Sequence, residues 1–303
     1  INNNDLYEGG SSSNISSESS MKGTVGKNSL TMCIRDILWY KHWMSPQLNE
    51  WLEGVNPDAV FFVGGDGLFA YKICNYIVGK YKSRLTLFIT DDYVMPRKNE
   101  SYLAKFRRRR IIRSMKTILE KTSCFYTISE QMRQAYKEVF GKDSSIIVNA
   151  SPDLQVTSCQ KKEKDIVMTY AGSFYYKRSD VLGKLALSIK TFNERNLGDK
   201  AILLLYSNSE PTDEIRNVIC IEGGSRYEGS LNRDELVERL NTSDYLVFVE
   251  SFDEAQIEKV QYSLSTKIPE YLSVGKAIIA IGPEKIGSMD YLQDVAICIT
   301  DPE

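Results

Sequence analysis

The sequence predicts an α/β protein with two doubly wound parallel sheets, and three observations lead there. Its 303 residues exceed one ordinary core and fit two domains of about 150 residues each. Short apolar runs, rich in β-branched and aromatic residues, alternate with helical periodicity from about residue 57 onward. Midway, the polar stretch SPDLQVTSCQKKEKD (Ser151 to Asp165) interrupts the alternation with a run of charge and no apolar period. The boundary is placed there, giving an N-terminal domain over 1–155 and a C-terminal domain over 156–303.

Composition excludes several classes. With 42% hydrophobic and 26% charged residues, the chain belongs with soluble globular proteins. A formal net charge of −2 offers no global excess of positive charge to nucleic acid. The six cysteines lie far apart without metal-ligand spacing, the pattern of free thiols in a reducing cytosol. No run reaches the roughly 18 to 20 apolar residues of a membrane span, and no charged-then-apolar leader opens the chain. A cytoplasmic location is expected. The chain starts at Ile1 and carries a Ser-rich tract from Ser11 to Ser20, which reads as a flexible loop; the first strands of the N-terminal domain are expected to be missing.

The elements follow in order. Residues 34–52 read as helical segments, with Ser45-Pro46 starting a new one. Strands are expected at Ala59 to Gly64, Leu85 to Asp91, Cys124 to Ser129 and Ile146 to Ala150. Their near-continuous hydrophobicity suits parallel strands covered on both faces. Helices at about 67–80, 100–120 and 130–140 separate them, the last opened by Ser129 and closed by Gly141. In the second half, strands are expected at 166–172, 201–207, 218–223, 245–251, 277–282 and 295–300. In such sheets ligands bind beyond the carboxyl ends of the strands, so the residues just after each strand carry the chemistry.

The strongest local signal is YSLSTKIPEYLSVGKAIIAIGP, from Tyr262 to Pro283. Ser265 or Thr266 is expected to cap a helix with Pro269 in its first turn and Gly275 at its end. A helix start offers free amides and partial positive charge to a diphosphate, and Lys267 adds a full charge. Glu270 lies one turn further on the same face as Thr266, where a carboxylate can accept both hydroxyls of a ribose. A capped amphipathic helix with solvated Lys and Glu fits the same residues.

S-T-K-x-x-E-Y-L-x-x-G-K followed by an apolar strand and Gly-Pro resembles the donor-binding segment of GT-B glycosyltransferases of family 4. The resemblance implies two Rossmann-like domains facing across a cleft. It runs weakly from Pro57 and well from Ile166 to the end of the chain. In that family a Glu-x7-Glu motif holds the donor, and Glu270 matches its second Glu. Eight residues earlier stands Tyr262, so the first Glu's contact with the sugar falls to the acidic stretch Glu250, Asp253, Glu254 and Glu258.

Gly172-Ser173, followed by Lys177-Arg178, resembles the family's first C-domain loop, where a glycine approaches the diphosphate and basic residues neutralise it. Ser173 stands where the family places an arginine, leaving Arg178 and Lys177 as cations. An ordinary turn with solvated basic residues is the other reading. The segment from Arg226 to Leu231 resembles the base-binding loop, with backbone around Gly229 to Leu231 reading the nucleobase.

The resemblance implies transfer of a sugar from a UDP- or GDP-sugar to a glycan or lipid-linked acceptor in bacterial surface polysaccharide synthesis, with retention and without metal or other cofactor. Arg178 and Lys267 would stabilise the departing diphosphate, and Asp91 would face the acceptor. A non-catalytic nucleotide- or sugar-binding module is the competing class.

In the N-terminal half, GGDG at Gly64 to Gly67 follows a strand and precedes a helix. It fits a substrate-facing loop, a plain turn, or the GGDGT motif of nicotinamide-dinucleotide and lipid kinases, which it resembles but for Leu68 in place of Thr. Asp91-Asp92 ends a strand; either a structural turn or a substrate-facing carboxylate fits, and adjacent side chains diverge too much for a metal. The only histidine, His42, is expected to pack beside Trp39 and Trp43; with no second imidazole in the sequence, little room is left for Ser/His/Asp hydrolysis. FRRRRIIRSMK, from Phe106 to Lys116, offers Arg107 to Arg110 either to solvent or to anionic lipid on the inner face of the plasma membrane.

Overall fold

The computed structural model describes residues 29–151, 165–195 and 198–301. The Ser-rich tract and most of the expected boundary segment, 152–164, lie outside the described residues. Among the described residues, all strand pairs in two separate sheets run parallel.

The first sheet has the order β1-β2-β3-β4: β1 (Ala59–Gly64), β2 (Arg84–Ile89), β3 (Thr122–Thr127) and β4 (Ser145–Ile146). Helices α1 (Ser29–His42) and α2 (Pro46–Val55) precede it, and α3 (Leu68–Tyr81), α4 (Tyr102–Leu119) and α5 (Glu130–Phe140) connect its strands. Side-chain caps set several starts. Ser45 accepts from Leu48 N with Pro46 at the first position of α2, Ser101 accepts from Ala104 N, and Ser129 accepts from Met132 N, each satisfying an amide that the helix leaves free. Gly141 closes α5 at φ 68°, a left-handed position suited to glycine.

The second sheet comprises β5 (Ile166–Ala171), β6 (Ala201–Tyr206), β7 (Ser225–Gly229), β8 (Tyr245–Val249), β9 (Ala277–Ile281) and β10 (Ile297–Ile299), in the order β10-β9-β8-β5-β6-β7. Between them run α6 (Arg178–Arg195), α7 (Asp213–Ile219), α8 (Arg233–Thr242), α9 (Glu254–Val260), α10 (Lys267–Val274) and α11 (Gly287–Leu292). β5 pairs with β6 on one side and β8 on the other, so chain order reverses there. Such a switch point opens a crevice beyond the strand ends.

One strand lies elsewhere than expected. Residues 218–223 are not a strand: Thr212 caps α7, whose first turn carries Asp213 and Glu214, and Ile219 ends it fully buried. The strand begins at Ser225 because Gly224 lies against the α6 backbone, where a side chain would overlap the Ala186 carbonyl, and Gly223 turns the chain at φ 78°. β4 is also shorter than expected, pairing with β3 only through Ser145 and Ile146.

The two halves meet through an apolar seam. Ile128, Met132 and Tyr136 of the first half share one continuous cluster with Leu264, Ile286, Met289 and Leu292 of the second. Ser129 Oγ donates to the Tyr262 carbonyl at 2.6 Å. Beside this, Arg97 Nη1 donates to the Glu258 carbonyl at 3.2 Å and Lys98 Nζ meets Glu254 at 2.6 Å.

Candidate anion site at the switch point of the second sheet

β5 and β8 end side by side at the reversal, and α6 and α10 start close by. The arrangement brings Gly172, Ser173, Leu231, Lys267 and Glu270 to one hollow of about 350 Å³, together with Tyr206, Ser207, Asn208, Ser209 and Leu236. Arg178 and Glu250 meet at the same strand ends.

Lys267 opens α10 and lies across Gly172, where any side chain would overlap its ammonium. The glycine is therefore the seat of the lysine. The ammonium stands 4.7 Å from the centroid of the Tyr170 ring and has no hydrogen-bond or ion-pair partner among the described residues. Burial pushes its pKa down to about 8; the Arg178 charge adds to that fall, while Glu250 and Glu270 oppose it. A desolvated cation without a close partner favours an incoming anion.

The start of α10 differs from the expected cap. Thr266 has helical backbone, φ −65° and ψ −14°, and makes no side-chain cap; a capping hydroxyl reaches the helix amides from extended backbone. Ser265 Oγ instead accepts a long bond from Lys267 N at 3.5 Å, and Ser265 O takes the Ile268 amide at 3.2 Å. Neither residue lines the hollow, so its positive character comes from the lysine side chain.

Arg178 opens α6 and is committed to Glu250: Nε donates to Oε2 at 3.0 Å, and Nη2 to Oε1 at 2.9 Å and to Oε2 at 2.8 Å. Nη1 makes no bond among the described residues. The Glu250 side chain is only 7% exposed. Burial pushes its carboxyl above the ordinary range, and the Arg178 and Lys267 charges pull back against that rise. Glu250 thus braces an arginine rather than standing open to a sugar.

The rest of the acidic stretch is engaged as well. Asp253 caps α9 and pairs with Lys177 at 2.6 Å, Glu254 meets Lys98, and Glu258 accepts from Lys98 N at 3.4 Å. Lys177 therefore serves Asp253. It follows Tyr176, and both hold left-handed backbone, at φ 58° and 62°. Glu270 faces the hollow, with Arg233 Nη1 3.3 Å from its Oε1. Gly229, at φ 93°, accepts from Ser207 N at 3.0 Å; it fixes a lining residue without lining the hollow itself.

Sequence reasoning missed Tyr170, Arg233 and the run Ser207 to Ser209. That run directly follows β6, so reading every strand end of the sheet would have found it. Arg233 pairs with Glu270 across 37 residues, and no local pattern signals that.

The N-terminal motifs are used differently. The Asp66 carboxylate of GGDG accepts from Arg35 Nη1 at 3.2 Å, and its carbonyl accepts from Arg35 Nη2 at 3.0 Å and from Arg107 Nη2. Tyr71 donates to the Gly65 carbonyl at 2.8 Å. Asp92 caps a turn, accepting from Val94 N and Met95 N at 2.9 and 3.0 Å. Asp91 is exposed at the end of β2 and lies apart from the hollow. Among the described residues, no group of three His, Cys, Asp or Glu is placed to hold a metal ion.

Two expectations are corrected. The run Arg107 to Arg110 is no continuous basic face: Arg107 is buried and pairs with buried Asp36 at 2.8 Å, and Arg108 meets Glu100 at 2.9 Å. α4 packs against α1 and α3, which turns half of the run inward and leaves Arg109 as its exposed member. His42 is exposed rather than packed, with Nδ1 2.6 Å from the Leu38 carbonyl, while Trp39 and Trp43 pack on Phe69 and Tyr76. Among the described residues, no helix is long and apolar enough to cross a membrane.

No family model matches the chain, and no curated protein matches it in sequence. Solved structures do match. TarM is 16% identical, with a TM-score of 0.54 over 82% of this chain and 47% of TarM. Sucrose-phosphate synthase from Thermosynechococcus elongatus is 13% identical, with a TM-score of 0.54 over 84% of this chain and 64% of that one. A UDP-forming α,α-trehalose-phosphate synthase from Burkholderia xenovorans, solved with glucose-6-phosphate, is 8% identical, with a TM-score of 0.55 over 89% and 67%. This chain thus spans about half of TarM and under two thirds of the sucrose-phosphate synthase. These likenesses and the two parallel sheets establish that the chain has the GT-B fold.

Proposed function

We propose that the chain is a glycosyltransferase whose donor, a UDP- or GDP-sugar, binds in the hollow between Gly172 and Glu270. The observation that carries this reading is Lys267: an ammonium without an ion-pair partner, laid on a glycine at the switch point, one helical turn from a carboxylate facing the same hollow. A diphosphate supplies the missing anion and Glu270 accepts the ribose hydroxyls. Leu231, Leu236 and Tyr206 offer the base an apolar wall. The structural neighbours include a sucrose-phosphate synthase and two α,α-trehalose-phosphate synthases described as UDP-forming.

In this reading Lys267 and the free Nη1 of Arg178 stabilise the charge that grows on the departing diphosphate. The transfer proceeds with retention and without metal, to a saccharide or lipid-linked acceptor on the N-terminal side near Asp91, in bacterial surface polysaccharide synthesis. The test is calorimetry with UDP and GDP on the wild type and on Glu270→Ala. A drop of about tenfold in affinity is expected from loss of the ribose hydrogen bonds. Unchanged affinity would remove Glu270 from the site, and no binding of either nucleotide to the wild type would end the proposal.

A further inference from the structure

Lys267 lines the hollow, and close enough to act on its charge stand Arg178 and Glu250, which do not line it. Arg178 and Lys267 open two different helices, and the Arg178 charge adds to the fall in the Lys267 pKa. Glu250 takes three hydrogen bonds from Arg178, and its charge helps Lys267 keep its proton. Its surroundings are close-packed. A Cβ at Gly282 would lie 3.2 Å from the Glu250 Cβ and 3.3 Å from Met289 Cγ, so the carboxylate's place depends on a second glycine. Glu270, the other acid near Lys267, is shared with Arg233. Tyr170 and Tyr271, the remaining titratable side chains nearby, are hydrogen-bonded to backbone and stay neutral because burial raises both.

A buried carboxylate costs desolvation that only its partners offset. Its presence beside a hollow with an unpaired ammonium has a clear use. We propose that Glu250 is the internal counter-ion of the donor diphosphate seat, keeping Arg178 and Lys267 together while the site is empty and competing with the diphosphate once it arrives. The inference rests on the donor-site reading above and makes Glu250 a positioning residue, acting through Arg178. The consequence is that the carboxylate holds Arg178 in place and weakens the protein's grip on the anion.

Glu250→Gln tests this, because it leaves an oxygen for Arg178 and removes only the charge. The probes are inorganic pyrophosphate without metal, UDP and GDP, titrated by calorimetry at about pH 6.5, with thermal melting in parallel. The expected result is pyrophosphate binding tighter by roughly tenfold and a larger ligand-induced rise in melting temperature than in wild type. The part of the gain that passes through Lys267 should fall away as pH rises and the lysine loses its proton, while the part that passes through Arg178 stays, a pattern that a purely structural role would not produce.

Equal or weaker pyrophosphate binding in the variant overturns the counter-ion role, while wild-type binding of pyrophosphate or UDP leaves the donor site standing. Wild type that binds none of the three probes overturns both. If Glu250→Gln does not fold, the double variant Glu250→Gln/Lys267→Met should fold, since it removes one charge of each sign; a double variant that also fails to fold overturns the proposal.

Discussion

Two corners of this molecule share one local pattern and differ in how their charges are settled. After β1, Gly64 to Gly67 lead into α3; after β5, Gly172 and Ser173 lead toward α6. Both corners place glycine at the end of a parallel strand, three residues of it at the first and one at the second, and both attract basic side chains. At the first, Arg35 and Arg107 close on Asp66 and Asp36, so cation and anion are already matched. At the second, Arg178 is matched by Glu250 but Lys267 is not matched by a direct partner. The first corner is a structural clasp, and the second has room for an anion. A strand end with a glycine thus becomes a candidate binding site through the charge left over once the protein has satisfied itself.

The largest effect should come from breaking the clasp. Arg107→Ala leaves buried Asp36 with Arg35 alone, at 3.3 Å, and should cost about 3 kcal/mol in denaturant unfolding, with UDP affinity of the folded fraction unchanged. A change in nucleotide affinity there would erase the contrast between the corners. Next, Lys267→Met should weaken UDP or GDP binding by roughly 10- to 100-fold, the range of a charge-assisted hydrogen bond, while leaving the melting temperature equal or higher because a desolvated charge is gone. A marked loss of stability instead would make Lys267 a clasp as well.

The same lysine predicts opposite pH trends for binding and stability. Its pKa falls from 10.5 in the unfolded chain to about 8 in the folded one, so the unfolded state binds more protons between those values. Lys267 therefore destabilises the fold at low pH, and that penalty is relieved as pH rises from about 8 toward 10.5. Anion affinity should decline over the same rise, because the neutral amine no longer attracts it. Melting curves and titrations across this window should show the crossing in wild type and lose it in Lys267→Met.

The smallest effect concerns the loop between Ser173 and Arg178. Tyr176 holds φ 62° with its side chain largely exposed, and Tyr176→Gly should raise stability by about 1 kcal/mol by relieving left-handed strain. A lower melting temperature would show that the tyrosine's ring contacts with Arg178 and Lys259 outweigh that strain.

Much of this architecture was legible along the chain. β1, β5, β6, β8 and β9 lie where short apolar runs place them, and Ser45, Ser129, Gly141 and Gly275 mark helix ends as their side chains or φ values require. The misplaced strand at 218–223 shows the limit. VICIEG is apolar enough for a strand, yet Thr212 and two acids begin a helix whose end it becomes, and short apolar runs fit either state. Similarly, Ser265-Thr266 reads as a cap, but the backbone enters the helix one residue early.

By itself the sequence determined the alternation of elements, the two parallel sheets and the strand ends at which chemistry was to be sought, because these follow from periodicity and backbone preference over a few neighbouring residues. Only the tertiary structure decided which charges are spent and which remain. Arg107 and Lys267 look alike as basic residues on helices, but one finds Asp36 across 71 positions and the other rests on Gly172 across 95. Electrostatic pairing depends on distance in space and on exclusion of water, and neither is written in local order.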